Sequence, residues 1–296
     1  MLTIQNNDYI ASINLTGAEL CSFYSIHSKT EYIWKGEGSV WGSTAPVLFP
    51  IIGVLKDGFF IYKGVKYFIP KHGFIRNNKD LKVEQHLSDQ LTLSFQYSEE
   101  TKKMFPFEFR FVITFRLIDN ELEVSHKVYN LSSTEVMYFS VGGHPAFSCP
   151  FFENESYDDY FIEFEQTENS NRWNVLPDGT IHSISEDYLE DSSKINLTHS
   201  LFSKDALIFK DLKSKKVKLK SSKHLTSVEL TFNDFEYLGI WAKPEGDFVC
   251  VEPWLGISDS SQSNHLIEEK EGIISLLPNN DFISNYKITI KEGTLS

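Results

Sequence analysis

The chain has 296 residues, with 41 acidic against 28 basic side chains and a formal charge of −13, so it lacks the cationic surface that nucleic acid or an anionic membrane requires. Hydrophobic residues at 41% and charged residues at 23% describe a folding, globular chain and exclude a disordered one. Aromatic residues at 14%, dominated by 24 Phe and 13 Tyr, suit pleated, half-buried surfaces and tilt the balance towards β-structure.

The opening MLTIQNNDYIASINLTG has no basic stretch followed by an apolar core, and no run approaches the ~18 apolar residues of a membrane span, so a cytoplasmic location is expected. Cys21, Cys149 and Cys250 cannot all pair, and their wide spacing matches no zinc or CxxC motif. They read as reduced thiols behaving as small buried hydrophobes.

In chain order, Tyr67 to Pro70 reads as a strand running into Lys71-His72-Gly73-Phe74-Ile75-Arg76, where an imidazole and a guanidinium flank a glycine turn and offer donors for hydroxyl or phosphate oxygens. From Phe107 to Leu117 every odd position is apolar and most even ones are polar, the period of a strand with one buried face. After a turn at Asp119-Asn120, Leu122 to Val128 alternates again, predicting an antiparallel hairpin in which His126 falls on the apolar face as a core histidine.

Val141-Gly142-Gly143-His144-Pro145 then breaks the pattern. Paired glycines permit close backbone approach, and a residue preceding proline is held extended, so His144 is presented in a fixed direction. The segment from Glu153 to Glu168 carries seven acidic residues and no basic one. Between Lys210 and Lys223, lysines alternate with Val217 and Leu219, which predicts the wet face of an edge strand guarded against aggregation.

Further strands are expected at Val228 to Phe232 and Tyr286 to Ile290. The best helical signal is Asn264 to Gly272, capped by the asparagine and ended by the glycine. No linker, repeat or βαβ spacing divides the chain. The fold expected is all-β: a single large antiparallel β-sandwich domain over residues 1–296.

The sharpest anomaly is Phe248-Val249-Cys250-Val251-Glu252-Pro253-Trp254, an apolar strand carrying a glutamate on the same face as Phe248 and Cys250. Proline donates no ladder hydrogen bond, so the strand is expected to end there with Glu252 at a sheet rim. A carboxyl desolvated in this way suits a general base near neutral pH. Motifs for dinucleotide, nucleotide, serine-hydrolase or zincin chemistry are absent. Asp259 and His265 share a loop without a third ligand at a recognised spacing, so no metal is expected.

Taken together and in order, APVLFPIIG (Ala45 to Gly53), HGFIR (His72 to Arg76), GGHPAF (Gly142 to Phe147), the aspartate of SKDALIF (Asp205) and GIWAKPEGDFVCVEPWLG (Gly239 to Gly256) resemble the aldose 1-epimerase, or galactose mutarotase-like, family. The likeness is strongest to its bacterial branch associated with lactose operons. It implies a β-sandwich with a sugar in a cleft on one sheet. In that frame His144 matches the family's general acid, Glu252 its general base, His72 and Asp205 its sugar-binding residues, and Arg76 the arginine of an HGFxR motif.

Trp241 and Trp254, flanking Glu252, are expected to form a sugar-stacking wall. The implied reaction interconverts the anomers of a monosaccharide without a cofactor. Related hexose-6-phosphate mutarotases carry one more arginine near Val40 to Thr44, absent here, which points to an unphosphorylated aldose. The competing readings are a hexose-6-phosphate 1-epimerase, a sugar-binding protein without turnover and a glycoside hydrolase using Glu252 with Asp205. Dimerisation is left undecided by the sequence.

Overall fold

The computed structural model describes residues 1–293. Aromatic and β-branched alternation produces strands throughout. Fifteen of them form one antiparallel sheet. Its hydrogen-bonded order begins Val47–Leu48, Val141–Gly143, Phe248–Leu255, Tyr237–Trp241, Leu207–Phe209, Tyr160–Val175 and Lys216–Ser221. It continues through Ser227–Thr231, Asp281–Lys291, Glu121–Asn130, Phe109–Ile118, Gln90–Gln96 and Lys82–His86. Ala146–Ser148 also joins Phe248–Leu255, and Ile181–Asn196 joins Tyr160–Val175.

A sheet this long curls back on itself to bury its apolar face. The ring of Phe49, just beyond the first strand in that order, packs 4.8 Å from Phe111 and 5.2 Å from Phe109, near the opposite end. Both layers thus close over one aromatic core of buried side chains drawn from Ile4 to Ile290. A second sheet of four short strands, Leu2–Gln5, Tyr9–Asn14, Glu19–Ser25 and Thr30–Glu31, covers one flank. The all-β sandwich expected from the sequence is the fold observed.

The predicted hairpin forms with Leu117 opposite Leu122, and His126 is fully buried between the rings of Phe111 and Tyr286. Three local expectations are corrected. Asn264 to Gly272 holds only the 3₁₀ turn Ile267–Glu269; the Asn264 side chain accepts from the Leu266 N–H and forms a local turn without starting a helix.

The one α-helix, among the described residues, is Glu99–Met104, where Ser98 and Thr101 form a reciprocal cap. The lysine-rich strand Lys216–Ser221 is no edge: it is paired on both sides, and its lysines meet Glu229 and Glu163 across it. Finally, Phe248–Leu255 runs on through Pro253. No helix is long and apolar enough to cross a membrane, among the described residues.

Candidate active site

Pro253 lies inside a strand that is paired along both edges. Along one edge, Phe248–Leu255 pairs continuously with Tyr237–Trp241, placing Glu252 opposite Gly239. Along the other edge its partner is broken into Val141–Gly143 and Ala146–Ser148, and the break is His144-Pro145. The two segments keep one register, which sets Gly143 opposite Pro253 and delivers His144 next to Glu252. Gly143 makes this approach possible: a Cβ there would lie 2.8 Å from the Tyr286 ring of the facing layer.

Glu252 Oε2 lies 3.2 Å from His144 Nε2, and the two residues are 2% and 7% exposed. The contact is not a well-aligned hydrogen bond, and Glu252 Oε2 has no other partner. Burial drives the Glu252 carboxyl well above the usual range against the pull of Lys71 and Arg76, with Asp205 adding to the rise. Burial also pushes His144 down, with Arg76 contributing. Both directions favour the uncharged forms.

The pair lies in the wall of a cavity of about 210 Å³, which is also lined by His72, Arg76, Asp205, Trp241 and Trp254. Every site residue expected from the sequence is therefore brought together. His72 adopts φ 64° and exchanges two bonds with Gly53: its N–H donates to the Gly53 carbonyl at 2.7 Å, and its Nδ1 accepts the Gly53 N–H at 3.1 Å. Nδ1 is thereby the acceptor, which leaves Nε2 to carry the ring proton as a donor. Gly73 follows at φ 73°, where a Cβ would meet the Phe49 carbonyl at 2.1 Å.

Arg76, in the turn Ile75–Asn77, donates to Ser43 Oγ at 3.3 Å, and burial lowers its pKa. Asp205 is exposed at the rim with φ 75°, its Oδ1 accepting the Ala206 N–H.

Sequence reasoning missed Trp41. Its ring stacks on His144 at 5.2 Å and on Phe248 at 5.3 Å, and Trp241 meets it edge-on. It lies in an irregular stretch just after the turn at residues 38–40, with no periodicity to mark it. Lys71 and Ser258 also line the cavity, and Ser258 Oγ accepts the Val54 N–H at 2.9 Å. Lys71, Val175, Gly179 and Asp205 are shared with an outer cavity of about 740 Å³. Asp259 and His265, weighed as ligands, have structural partners instead: Lys270 at 2.9 Å and Asp57 at 3.5 Å.

A closed antiparallel sandwich thus holds a buried glutamate and histidine in contact in the wall of a cavity of about 210 Å³. The chain belongs to the aldose 1-epimerase family, isomerases that act on monosaccharides: the family model named "Aldose 1-epimerase" matches residues 1–265. It is 30% identical to the plasmid-encoded protein LacX of Lactococcus lactis, over 98% of this chain and 99% of that one. Among solved structures, it resembles a galactose mutarotase related enzyme from Lactobacillus acidophilus with 36% identity and TM-score 0.93, covering 99% of this chain and 98% of that one. A galactose mutarotase-like protein from Lactobacillus casei shares 30% identity and TM-score 0.92, over 98% and 100% of the two chains.

Proposed function

We propose that the protein interconverts the α and β anomers of a free hexose, with Glu252 as general base and His144 as general acid. The observation that carries this reading is their 3.2 Å separation inside the cavity. Ring opening removes a proton from the anomeric hydroxyl and adds one to the ring oxygen. Both oxygens are bonded to the same carbon, so the base and the acid must both reach one small region of the cavity, and a pair this close together does so.

The pair holds a single proton throughout. With a cyclic sugar bound, Glu252 is a carboxylate and His144 an imidazolium. Glu252 takes the hydroxyl proton and His144 gives its own to the ring oxygen, leaving both side chains neutral and the sugar an open-chain aldehyde. Rotation about C1–C2 presents the other carbonyl face, and the reverse transfers close the ring as the other anomer. Burial favours the neutral pair, which stabilises the state that accompanies the open chain. His72 Nε2–H, Arg76 and Asp205 supply hydrogen bonds to hydroxyls, and Trp241 and Trp254 supply apolar walls.

A neutral sugar is favoured because one guanidinium, Arg76, faces the cavity, with Lys71 at its mouth. Polarimetry of freshly dissolved α-glucose, α-galactose and α-glucose 6-phosphate tests the proposal. Acceleration is expected with an unphosphorylated hexose, and no acceleration with any of them would sink it. Glu252→Gln and His144→Asn are each expected to lose roughly 10²–10⁴-fold in kcat while the fold survives. Undiminished turnover in both variants would remove the assigned roles.

A further inference from the structure

Cys250 has no part in the proton transfers, yet the strand carries it to the same place. It precedes Glu252 by two residues, so both side chains leave the same face of Phe248–Leu255. It is flanked across the ladder by Ala146 and Trp241, and it is fully buried. One ligand atom from each of His144, Cys250 and Glu252 lies within 4.8 Å of the other two. Independently, Glu252 Oε2 is buried and has no aligned partner.

A tetrahedral divalent ion bonded at about 2.0–2.2 Å to an imidazole nitrogen and a carboxylate oxygen holds those atoms roughly 3.3 Å apart. His144 Nε2 and Glu252 Oε2 already stand at 3.2 Å. A thiolate at about 2.3 Å from the same ion lies roughly 3.6 Å from each, so Cys250 Sγ closes up by at most about 1.2 Å from the 4.8 Å limit. A nitrogen, sulfur and oxygen donor set suits zinc-class ions and does not suit magnesium or calcium.

We propose that His144, Cys250 and Glu252 form a binding site for a zinc-class divalent cation, and that the bound ion switches the enzyme off. Binding breaks the Cys250 S–H bond, forms a metal–sulfur bond and releases the thiol proton to water. The proton shared by His144 and Glu252 leaves with it, because the metal takes the nitrogen and oxygen lone pairs that proton transfer needs. The fourth position faces the cavity, open to water or a sugar hydroxyl. Metal binding stands on its own; its inhibitory consequence rests on the reading of His144 and Glu252 as the acid and base.

Cobalt(II) separates the two, because a cobalt–thiolate bond has a near-ultraviolet charge-transfer band. Titrating the whole protein with Co²⁺ is expected to raise that band to a one-to-one endpoint, in step with loss of anomerisation, and EDTA is expected to reverse both. Cys250→Ser and Cys250→Ala, two variants in case one folds poorly, are expected to stay active without the metal. They should lack the band and need at least about tenfold more Zn²⁺ for the same inhibition.

Absence of the band in the wild type, or equal Zn²⁺ sensitivity in wild type and both variants, overturns the site. A band without inhibition overturns the switch, and it also removes His144 and Glu252 from catalysis without touching the metal site.

Discussion

At the scale of single residues, the site depends on atoms that are absent as much as on those present. Gly143 has no Cβ, and this lets the chain pass Tyr286 closely enough to set His144 beside Glu252. Gly143→Ala is expected to lower stability by about 1–3 kcal/mol through overpacking and to reduce kcat by moving the acid off its base. Thermal unfolding and anomerisation rates check this, and a variant with wild-type Tm and kcat would show that the layers yield freely.

The residues legible in the sequence were those that contradicted their surroundings. Glu252 stood out in an apolar strand, and His144 between paired glycines and a proline. Trp41 was not legible, because its position comes from stacking on His144 and Phe248, contacts made more than 100 residues away along the chain.

At the scale of elements, period-2 patterning identified the strands well, and the errors came where a neighbour decides the outcome. Pro253 argued for a strand end, but pairing with Tyr237–Trp241 on one edge and with Val141–Gly143 and Ala146–Ser148 on the other carries the strand through it. The lysines of Lys216–Ser221 argued for an edge, yet Glu229 and Glu163 on its partners satisfy them. The strand Glu121–Asn130 carries a testable cost.

His126 faces Ser284 across the ladder and the rings of Phe111 and Tyr286, and neither ring nitrogen has a partner among the described residues. Burial depresses its pKa from 6.5 to about 3. Below pH 6.5 the unfolded chain therefore binds a proton that the folded chain refuses, so stability falls as the pH drops from 6.5 towards 3. The loss approaches on the order of 4 kcal/mol at the acid end. His126→Phe is expected to flatten this part of the stability curve in urea titrations at several pH values. An unchanged slope would mean that His126 is not the group responsible.

At the scale of the whole molecule, the charge of −13 acts on any anionic ligand approaching through water. At low salt that field reaches an approaching ligand; screening over about 8 Å at physiological salt hands the decision to the groups at the cavity mouth. There Lys71 is opposed by Asp205, with Arg76 deeper in the cavity. A neutral hexose feels neither field, so its kcat/KM is expected to stay flat from low salt to well above physiological ionic strength.

A hexose 6-phosphate is repelled by the global charge and held by one guanidinium, so it is expected to react more slowly than the free sugar, and to gain rate as salt screens the repulsion. Stopped-flow polarimetry across an ionic-strength series checks both trends. The opposite pattern, a phosphorylated sugar that is faster and loses rate with salt, would show that Arg76 and Lys71 dominate, and would move the substrate from free to phosphorylated aldoses while leaving the Glu252 and His144 chemistry intact.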